Sequence, residues 1–366
     1  MLDESVYMKR MNQVQKHIDT SSADFAFLTP APSFQYLAGF KYEMHERLIA
    51  LVIRKDEAPV IVSPAFEIAV HSSHTWIKDF LSWAEDENPY EKVADLVGTN
   101  KVALLDDSIP LGVYWFLERA IGGFKDSASI TPVIDEMRIY KSKPEIELMK
   151  KAGHIINDAV SKAFTEIKLG MTELDVQDIV HKEIRHQGAI PTFAAIQFGQ
   201  NSALPHALPG SRELKKGDIV LMDCGCSLEG YNTDMTRVGV VGEPSEEIQR
   251  VYSTVLLAAE TALEKVCAGM SCGAADGIAR RIIDDAGFGD NFTHRLGHGI
   301  GLEVHEPPYV VRGSSDILQP GMCHSIEPGI YLEGKFGIRI EDLVCIGEDS
   351  LEVLTFTSRE LIQLDL

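Results

Sequence analysis

The chain has 366 residues, which predicts two domains that are each large enough to bury a core. Hydrophobic residues at 45% and charged residues at 24% are typical of a folded globular protein and argue against disorder. An excess of 55 acidic over 34 basic residues gives a net charge of −21, which disfavours nucleic acid and anionic membrane surfaces as partners.

The amino-terminal stretch MLDESVYMKR begins with two acidic residues and lacks the apolar core of a signal peptide. Apolar runs such as LIALVI are too short to span a membrane, so we expect a cytoplasmic protein. The six cysteines are too sparse for a disulfide scaffold, and we expect reduced, buried thiols rather than a zinc site.

Strand and helix signals alternate over residues 1–140, which predicts an α/β domain. Strands are expected over 23–29, 101–107 and 129–135, helices over 32–40 and 113–123, and a hairpin over 47–64 that turns at 55–57. A charged segment then leads into a helix that begins near Pro144. We therefore place the domain boundary near Lys141 and expect a second domain over 141–366.

A weak internal repeat runs through the second domain. Its first block repeats with an offset of 99 residues, as in the pairs Gly170 and Gly269, Thr172 and Ser271, and Gly188 and Gly287. The hydroxyl residues are natural helix N-caps, and the second glycine of each block is a natural helix stop. A later block repeats with an offset of 104, as in Leu214 and Leu318, Gly217 and Gly321, and Asp223 and Glu327. Two blocks in the same order predict two similar halves, each with helices and a strand hairpin.

Each predicted hairpin carries one acid on each strand. Asp223 and Asp234 flank a turn at 228–230, and Glu327 and Glu341 flank a turn at 333–335. Aspartate is depleted in strands and is costly to bury unless it is paired or bound to a metal. Four converging carboxylates cannot all stay ionised without a cation, so the pattern predicts a divalent metal site where the halves face one another.

A fifth ligand is available in the stretch HRLGHGIGLEVHEPP, where His298 lies between glycines. The predicted metal ligands are Asp223, Asp234, His298, Glu327 and Glu341. Carboxylates can bridge two ions, so this set suits a two-metal centre, and its oxygen-rich character favours manganese, cobalt or zinc over copper.

Three further residues are candidates for catalysis or binding. His206 and His305 each follow a repeat glycine by eighteen residues, so they are expected on either side of the metal centre, where they could hydrogen-bond a substrate. Two structural histidines that match by chance are the alternative. Arg339 precedes Glu341 by two residues and could orient a ligand carboxylate or bind a substrate carboxylate, and the first role is favoured.

The segments MDCGCSLEGYNTDMTR, GHGIGLEVHEPP, SIEPGIY and GIRIED together resemble the proline-specific branch of the pita-bread metallopeptidases, which contains Xaa-Pro dipeptidase and aminopeptidase P. SFQYLAGF resembles part of the creatinase-type amino-terminal domain of this branch, so the resemblance covers most of the chain. It implies a creatinase-like α/β domain over 1–140, followed by an α+β pita-bread domain over 141–366 with two pseudo-symmetric halves.

The resemblance also implies a chemistry. Two divalent metal ions, with manganese the first expectation, would activate a water that hydrolyses the bond before proline in Xaa-Pro dipeptides or short peptides. Glu327 matches the metal ligand that also transfers the proton, so it is expected to be catalytic, and His206 and His305 match a pair that contacts the substrate. Related enzymes imply a homodimer that the amino-terminal domain helps to build.

The sequence departs from this family in one place. Many dipeptidases of the branch have an arginine a few residues after the second histidine, thought to bind the dipeptide carboxylate, but this chain has Tyr309 there and its nearest arginine is Arg312. Aminopeptidase P activity on longer peptides therefore stays open, although the chain length favours a dipeptidase. A creatinase-like C–N hydrolase of a small substrate and a non-catalytic binding module are further alternatives, and the intact ligand set argues against both.

Overall fold

The computed structural model describes residues 2–205 and 207–366, and it divides into a unit that ends at Arg138 and a unit that runs from Ile139 to Leu366. Both units combine helices with β-sheets. The predicted boundary near Lys141 lies close to this division. Within the described residues, no helix combines the length and the apolar character needed to cross a bilayer.

The first unit is built around one mixed sheet. Its helices are α1 (Glu4–Thr20), α2 (Pro32–Ala38), α3 (Ile68–His74), α4 (Pro89–Val97), α5 (Leu111–Ile121) and α6 (Thr131–Arg138). Its strands are β1 (Phe25–Leu28), β2 (Ala50–Arg54), β3 (Val60–Pro64), β4 (Asp79–Trp83), β5 (Val102–Leu105) and β6 (Asp126–Ser129), in the sheet order β4-β3-β2-β1-β5-β6. The central strands are continuous apolar runs such as FAFL and ALVI, and such runs are typical of strands that are buried on both faces.

The sequence prediction for this unit is wrong at residues 129–135, which do not form a strand. The strand β6 ends at Ser129, and α6 begins at Thr131. The Ser129 hydroxyl accepts a hydrogen bond from the Thr131 amide at 3.1 Å, and Pro132 lies in the first helical turn, where its missing N–H costs nothing. The polar signal at 129–132 therefore starts a helix. The elements α1, α3, α4, β4 and β6 were not predicted.

The second unit carries the remaining elements. Its helices are α7 (Lys143–Glu166), α8 (Glu173–His186), α9 (Glu246–Lys265) and α10 (Cys272–Asp285). Its strands are β7 (Ile190–Phe198), β8 (Ile219–Leu228), β9 (Tyr231–Val241), β10 (Gly297–Gly299), β11 (Glu306–Val310), β12 (Cys323–Ile326), β13 (Gly329–Leu332), β14 (Phe336–Arg339), β15 (Asp342–Ile346), β16 (Leu351–Val353) and β17 (Ile362–Leu364). They form sheets in the orders β17-β9-β8-β7, β11-β10-β12-β15-β16 and β13-β14.

The two halves of the second unit repeat the same hydrogen bonds. The Gly170 amide donates to the Leu214 carbonyl at 3.1 Å, and the Gly269 amide donates to the Leu318 carbonyl at 2.8 Å. Both glycines have φ angles near +80°, which a residue without a Cβ adopts at little cost. Each of these bonds joins the two sequence blocks of its own half. The predicted pair of structurally similar halves is therefore confirmed.

The hairpins of the two halves differ, however. In the first half β8 and β9 pair without interruption, with Asp223 opposite Thr236 and Asp234 opposite Gly225, so both aspartates lie on the same face. In the second half β12 pairs with β15, and β13 pairs with β14 as a separate ladder.

The prediction of one acid on each strand is consequently wrong for the second hairpin, where Glu327 and Glu341 lie in the breaks between strands. Pro328 follows Glu327 and has no N–H to donate to a ladder, which explains why the first strand stops there. Glu341 instead pairs with β9, because its amide donates to the Thr236 carbonyl at 3.2 Å. This contact brings the second hairpin against the first.

Candidate metal centre

The predicted ligands line one cavity of about 330 Å³ in the second unit. Ligand atoms of Asp234, His298 and Glu341 all lie within 4.8 Å of one another. The Nε2 atom of His298 lies 3.9 Å from Asp234 Oδ2 and 3.5 Å from Glu327 Oε1. The residues that line the cavity are Pro205, Asp223, Asp234, His294, Arg295, His298, His305, Glu327, Arg339 and Glu341.

Glycines on both sides of His298 allow its strand to enter the site. A Cβ on Gly297 would lie 1.9 Å from the Ser325 carbonyl oxygen, and one on Gly299 would lie 2.1 Å from the Pro307 carbonyl oxygen. Neither position can accept a side chain without moving the backbone. The two glycines therefore fix how deeply β10 is inserted, and with it the position of His298.

The hydrogen bond at the other ring nitrogen sets the tautomer of His298. Its Nδ1 lies 3.1 Å from the Gly299 carbonyl oxygen, to which it donates, so Nε2 keeps its lone pair and faces the carboxylates. Burial lowers the pKa of His298 to about 3, with a smaller contribution from His305. The ring is neutral at physiological pH, as a metal-binding imidazole must be.

The carboxylates lie in a buried environment that disfavours their ionised form. Burial, followed by neighbouring carboxylates, raises the pKa of Asp234 and of Glu341 well above the usual range. Burial raises the pKa of Glu327 to about 7 although Arg339 opposes the shift. Among the described residues, Oδ1 of Asp223 and Oδ1 of Asp234 are buried and have no hydrogen-bond partner. Buried acceptors of this kind fit divalent metal ions, which would supply the missing positive charge.

Arg339 forms hydrogen bonds to three residues around the site. Its Nη2 donates to Asp223 Oδ2 at 2.5 Å, its Nη1 to the Tyr331 hydroxyl at 2.8 Å, and its Nε to Thr236 Oγ1 at 3.0 Å. The sequence prediction placed Arg339 on the same strand face as Glu341, but β14 ends at Arg339 and does not include Glu341. The carboxylate that Arg339 contacts is that of Asp223. The geometry fits the favoured prediction that Arg339 orients a ligand carboxylate.

Of the two histidines predicted to contact substrate, the structure describes only one. His305 lines the cavity, and its ring centroid lies 4.2 Å from that of His298 with the rings nearly perpendicular. His206 lies outside the described residues, while its neighbour Pro205 lines the cavity.

The sequence reasoning missed several residues that shape the site. The hydroxyl of Thr236 donates to Glu341 Oε2 at 2.7 Å, and that of Tyr331 lies 2.9 Å from His294 Nε2. Thr236 follows Asp234 by two residues and so shares its strand face, a signal that could have identified it. Arg295 also lines the cavity, and no feature of its sequence context marks it.

Comparisons with known proteins match two family models and several relatives to this chain. Residues 147–348 match the model of metallopeptidase family M24, and residues 10–140 match the creatinase/prolidase N-terminal domain. A Xaa-Pro dipeptidase of Lactobacillus helveticus is 32% identical over 363 residues, covering 96% of this chain and 98% of the relative.

Solved structures with similar folds cover nearly the whole chain. A recombinant prolidase from Thermococcus sibiricus superposes with a TM-score of 0.92 at 36% identity and covers 100% of both chains. An X-Pro aminopeptidase from Thermotoga maritima superposes with a TM-score of 0.84 at 30% identity, covering 93% of this chain and 98% of that one. The predicted two-part fold, a creatinase-type domain followed by a pita-bread domain, is confirmed.

Proposed function

Because the chain belongs to metallopeptidase family M24, we propose that it is a metal-dependent exopeptidase that hydrolyses the bond before proline in Xaa-Pro dipeptides. The observation that carries this proposal is the convergence of buried carboxylates and one neutral imidazole on a single cavity. Similarity to a Xaa-Pro dipeptidase over nearly the full length of both chains supports the substrate class.

The metal site in this proposal consists of Asp223, Asp234, His298, Glu327 and Glu341. Their number and their carboxylate character favour two divalent ions, and manganese is the first to test, followed by cobalt and zinc. When bound, such ions supply Lewis acidity and lower the pKa of water to about 7, so that attack on the peptide carbonyl can proceed at neutral pH.

Glu327 carries the proton in the proposed reaction. One of its carboxylate oxygens accepts a proton from the attacking water and donates it to the prolyl nitrogen as the C–N bond breaks. Glu327 lines the cavity together with the other proposed ligands, which would place its carboxylate beside the reacting water. Proline's nitrogen has no hydrogen of its own in the peptide, so this delivered proton completes the leaving amine.

The remaining residues position the reactants. His305, which lines the cavity, donates a hydrogen bond to the substrate in this proposal, and His206 is proposed to do the same from the other half of the repeat. Arg339 keeps the Asp223 carboxylate in one orientation through their contact at 2.5 Å. Replacing one of the histidines or Arg339 would therefore slow the reaction without changing which bond is cut.

The test combines metal content with substrate length. Purified protein is stripped with a chelator, reloaded with manganese, cobalt or zinc, and assayed on Ala-Pro and on a longer Xaa-Pro peptide, with bound metal measured by elemental analysis. We expect metal-dependent release of proline from the dipeptide. If neither peptide is cleaved in any metal-loaded form, the proposal is wrong.

A matched pair of variants links the activity to the site. Glu341→Gln removes a proposed ligand that is 2% exposed, whereas Glu333→Gln changes an exposed acid at the turn of the same hairpin. We expect the first substitution to lower metal content and activity at least tenfold and the second to leave both unchanged. Equal behaviour of the two variants would argue against this location of the metal.

Aminopeptidase P activity is the second candidate, and two observations favour keeping it. The fold also matches an X-Pro aminopeptidase, and Tyr309 stands where many dipeptidases of this branch have an arginine. The longer peptide in the same assay decides between the two activities. A homodimer is likewise proposed from the resemblance, and light scattering of the active protein tests it.

A further inference from the structure

Among the described residues, the arginines that line the cavity are Arg295 and Arg339, and both lower the pKa of Glu327 through their charge. Arg339 uses all three of its nitrogens on Thr236, Tyr331 and Asp223, and its side chain is 4% exposed. It could turn towards a substrate only by leaving the Asp223 carboxylate and the Tyr331 hydroxyl without their partner. The cation available to a ligand is therefore Arg295.

Arg295 is held by stacking and keeps its hydrogen-bond donors. Its guanidinium carbon lies 4.5 Å from the centroid of the Tyr309 ring. Within residues 2–205 and 207–366, the guanidinium forms no hydrogen bond or ion pair. Stacking on an aromatic face fixes the plane of the group while leaving its N–H edge free, which is the geometry that binds a carboxylate with two parallel bonds.

The backbone on both sides of Arg295 is fixed by a buried ion pair within the same unit. Arg280 Nη2 donates to the His294 carbonyl at 2.8 Å, and the Leu296 amide donates to Asp276 Oδ1 at 3.1 Å. Arg280 and Asp276 are themselves joined by two hydrogen bonds of 2.7 and 2.8 Å. Arg295 thus projects from a preorganised segment rather than from a loose loop.

The location suits a short substrate. Tyr309, on which Arg295 stacks, is the register partner of His298 across the pairing of β10 and β11. The cation therefore stands close to a proposed metal ligand, and both residues line the same cavity. Arg312 cannot serve instead, because its side chain is 72% exposed and faces Asp284 at 3.9 Å.

We propose that Arg295, braced by Tyr309, binds the C-terminal carboxylate of a dipeptide substrate and so selects dipeptides over longer or blocked peptides. This inference rests on the proposed Xaa-Pro exopeptidase activity. Among the residues that the structure describes, Arg295 is the arginine of this acidic cavity that forms no ion pair, so its charge is available to attract a substrate carboxylate.

The experiment compares Ala-Pro with its C-terminal amide, using manganese-loaded wild-type protein and the Arg295→Met variant. The wild type should prefer the free acid by about ten- to hundredfold in kcat/KM, the range expected when a charged hydrogen-bonded pair is lost. Arg295→Met should remove that preference by raising KM for the acid, with little change in kcat and little change for the amide. Arg295→Lys, which keeps the charge but loses the two-bond geometry, should fall between them.

Arg312→Met is the matched control and should keep the wild-type preference. Equal activity of the wild type on acid and amide, or an equal loss on both substrates in a folded Arg295→Met variant, would overturn the assignment while leaving the proposed activity intact. Failure of the wild type to cleave either substrate with any metal would instead overturn the proposed activity, and this inference with it.

Discussion

At the scale of single residues, the chemistry of the cavity depends on how Glu327 is surrounded. Its Oε1 accepts a hydrogen bond from Ser325 Oγ at 3.3 Å, and the same hydroxyl accepts one from the His298 amide at 3.0 Å. Ser325 therefore couples the proposed proton carrier to a neighbouring proposed metal ligand. The charge on Glu327 is costly in the metal-free protein because burial outweighs these contacts.

The raised pKa of Glu327 predicts a pH-dependent stability of the metal-free protein. A carboxyl whose pKa rises from 4.5 in the unfolded chain to about 7 in the folded one stabilises the fold fully below pH 4.5, and this stabilisation is lost as the pH rises to about 7. Between pH 5 and pH 8 the loss should be on the order of 2–3 kcal/mol. Thermal unfolding in chelator at pH 5 and pH 8 measures it.

Glu327→Gln should reduce this loss of stability because the amide does not ionise. Glu333→Gln, an exposed change in the adjoining turn, should follow the wild type. A Glu327→Gln variant with the wild-type pH dependence would contradict the assignment of the titration to Glu327.

The convergence of the proposed metal ligands on one cavity could be predicted residue by residue, because the internal repeat marked acids on two hairpins and a glycine-flanked histidine beside them. The contacts of Tyr331 and Arg295 could not be predicted, because they depend on the register in which neighbouring strands pair. Arg295 meets Tyr309 only through the pairing of β10 with β11, and Tyr331 meets Arg339 only through the pairing of β13 with β14. The spacing of these residues in the sequence does not predict either contact.

At the scale of elements, the helices α8 and α10 begin with equivalent caps. Thr172 Oγ1 accepts from the Asp175 amide at 3.1 Å, and Ser271 Oγ accepts from the Ala274 amide at 3.2 Å. Thr172→Ala and Ser271→Ala should each lower the free energy of unfolding by about 1 kcal/mol. Urea denaturation measures both, and Thr165→Ala, an exposed change near the end of α7, is the control. A cap substitution that costs no more than the control would contradict the expected role.

The buried pair of Asp276 and Arg280 on α10 predicts a larger effect. Asp276→Asn leaves the Arg280 guanidinium without its carboxylate in a site where Asp276 is fully buried, and such a loss typically costs about 3–5 kcal/mol. Replacing both partners by Leu and Met should cost less than the single change, because no buried charge is left unpaired. Urea denaturation of the three proteins tests this order, and a double variant less stable than Asp276→Asn would contradict it.

Helices and strands with strong apolar patterns were predicted well, whereas elements set by local polar contacts were not. The strand β1 and the helix α5 lie where the sequence predicts them. The helix α6 was taken for a strand because the apolar residues of SITPVID are too few to fix a period, and the Ser129 contact decides the outcome. The break in the second hairpin was missed for a similar reason. A single proline, Pro328, ends the strand although the residues on both sides of it are typical of a strand.

At the scale of the whole molecule, bound cations should stabilise the fold as well as supply chemistry. A ligand that binds only the folded state at one hundred times its dissociation constant adds about 2.7 kcal/mol to the free energy of unfolding. We therefore expect the thermal midpoint of chelated protein to rise when manganese is added. Glu341→Gln, which removes a proposed ligand, should abolish most of the rise, and an equal rise in the variant would contradict this site.

The repeat offset grows from 99 to 104 residues along the second unit, so the second half is longer by five residues. His206 and His305 still obey the shorter offset, which confines the extra length to the stretch after His305 that includes Tyr309 and Arg312. Every proposed ligand lies outside this insertion. Changes confined to this short stretch could therefore alter substrate choice while the repeated segments that carry the proposed metal ligands stay unchanged.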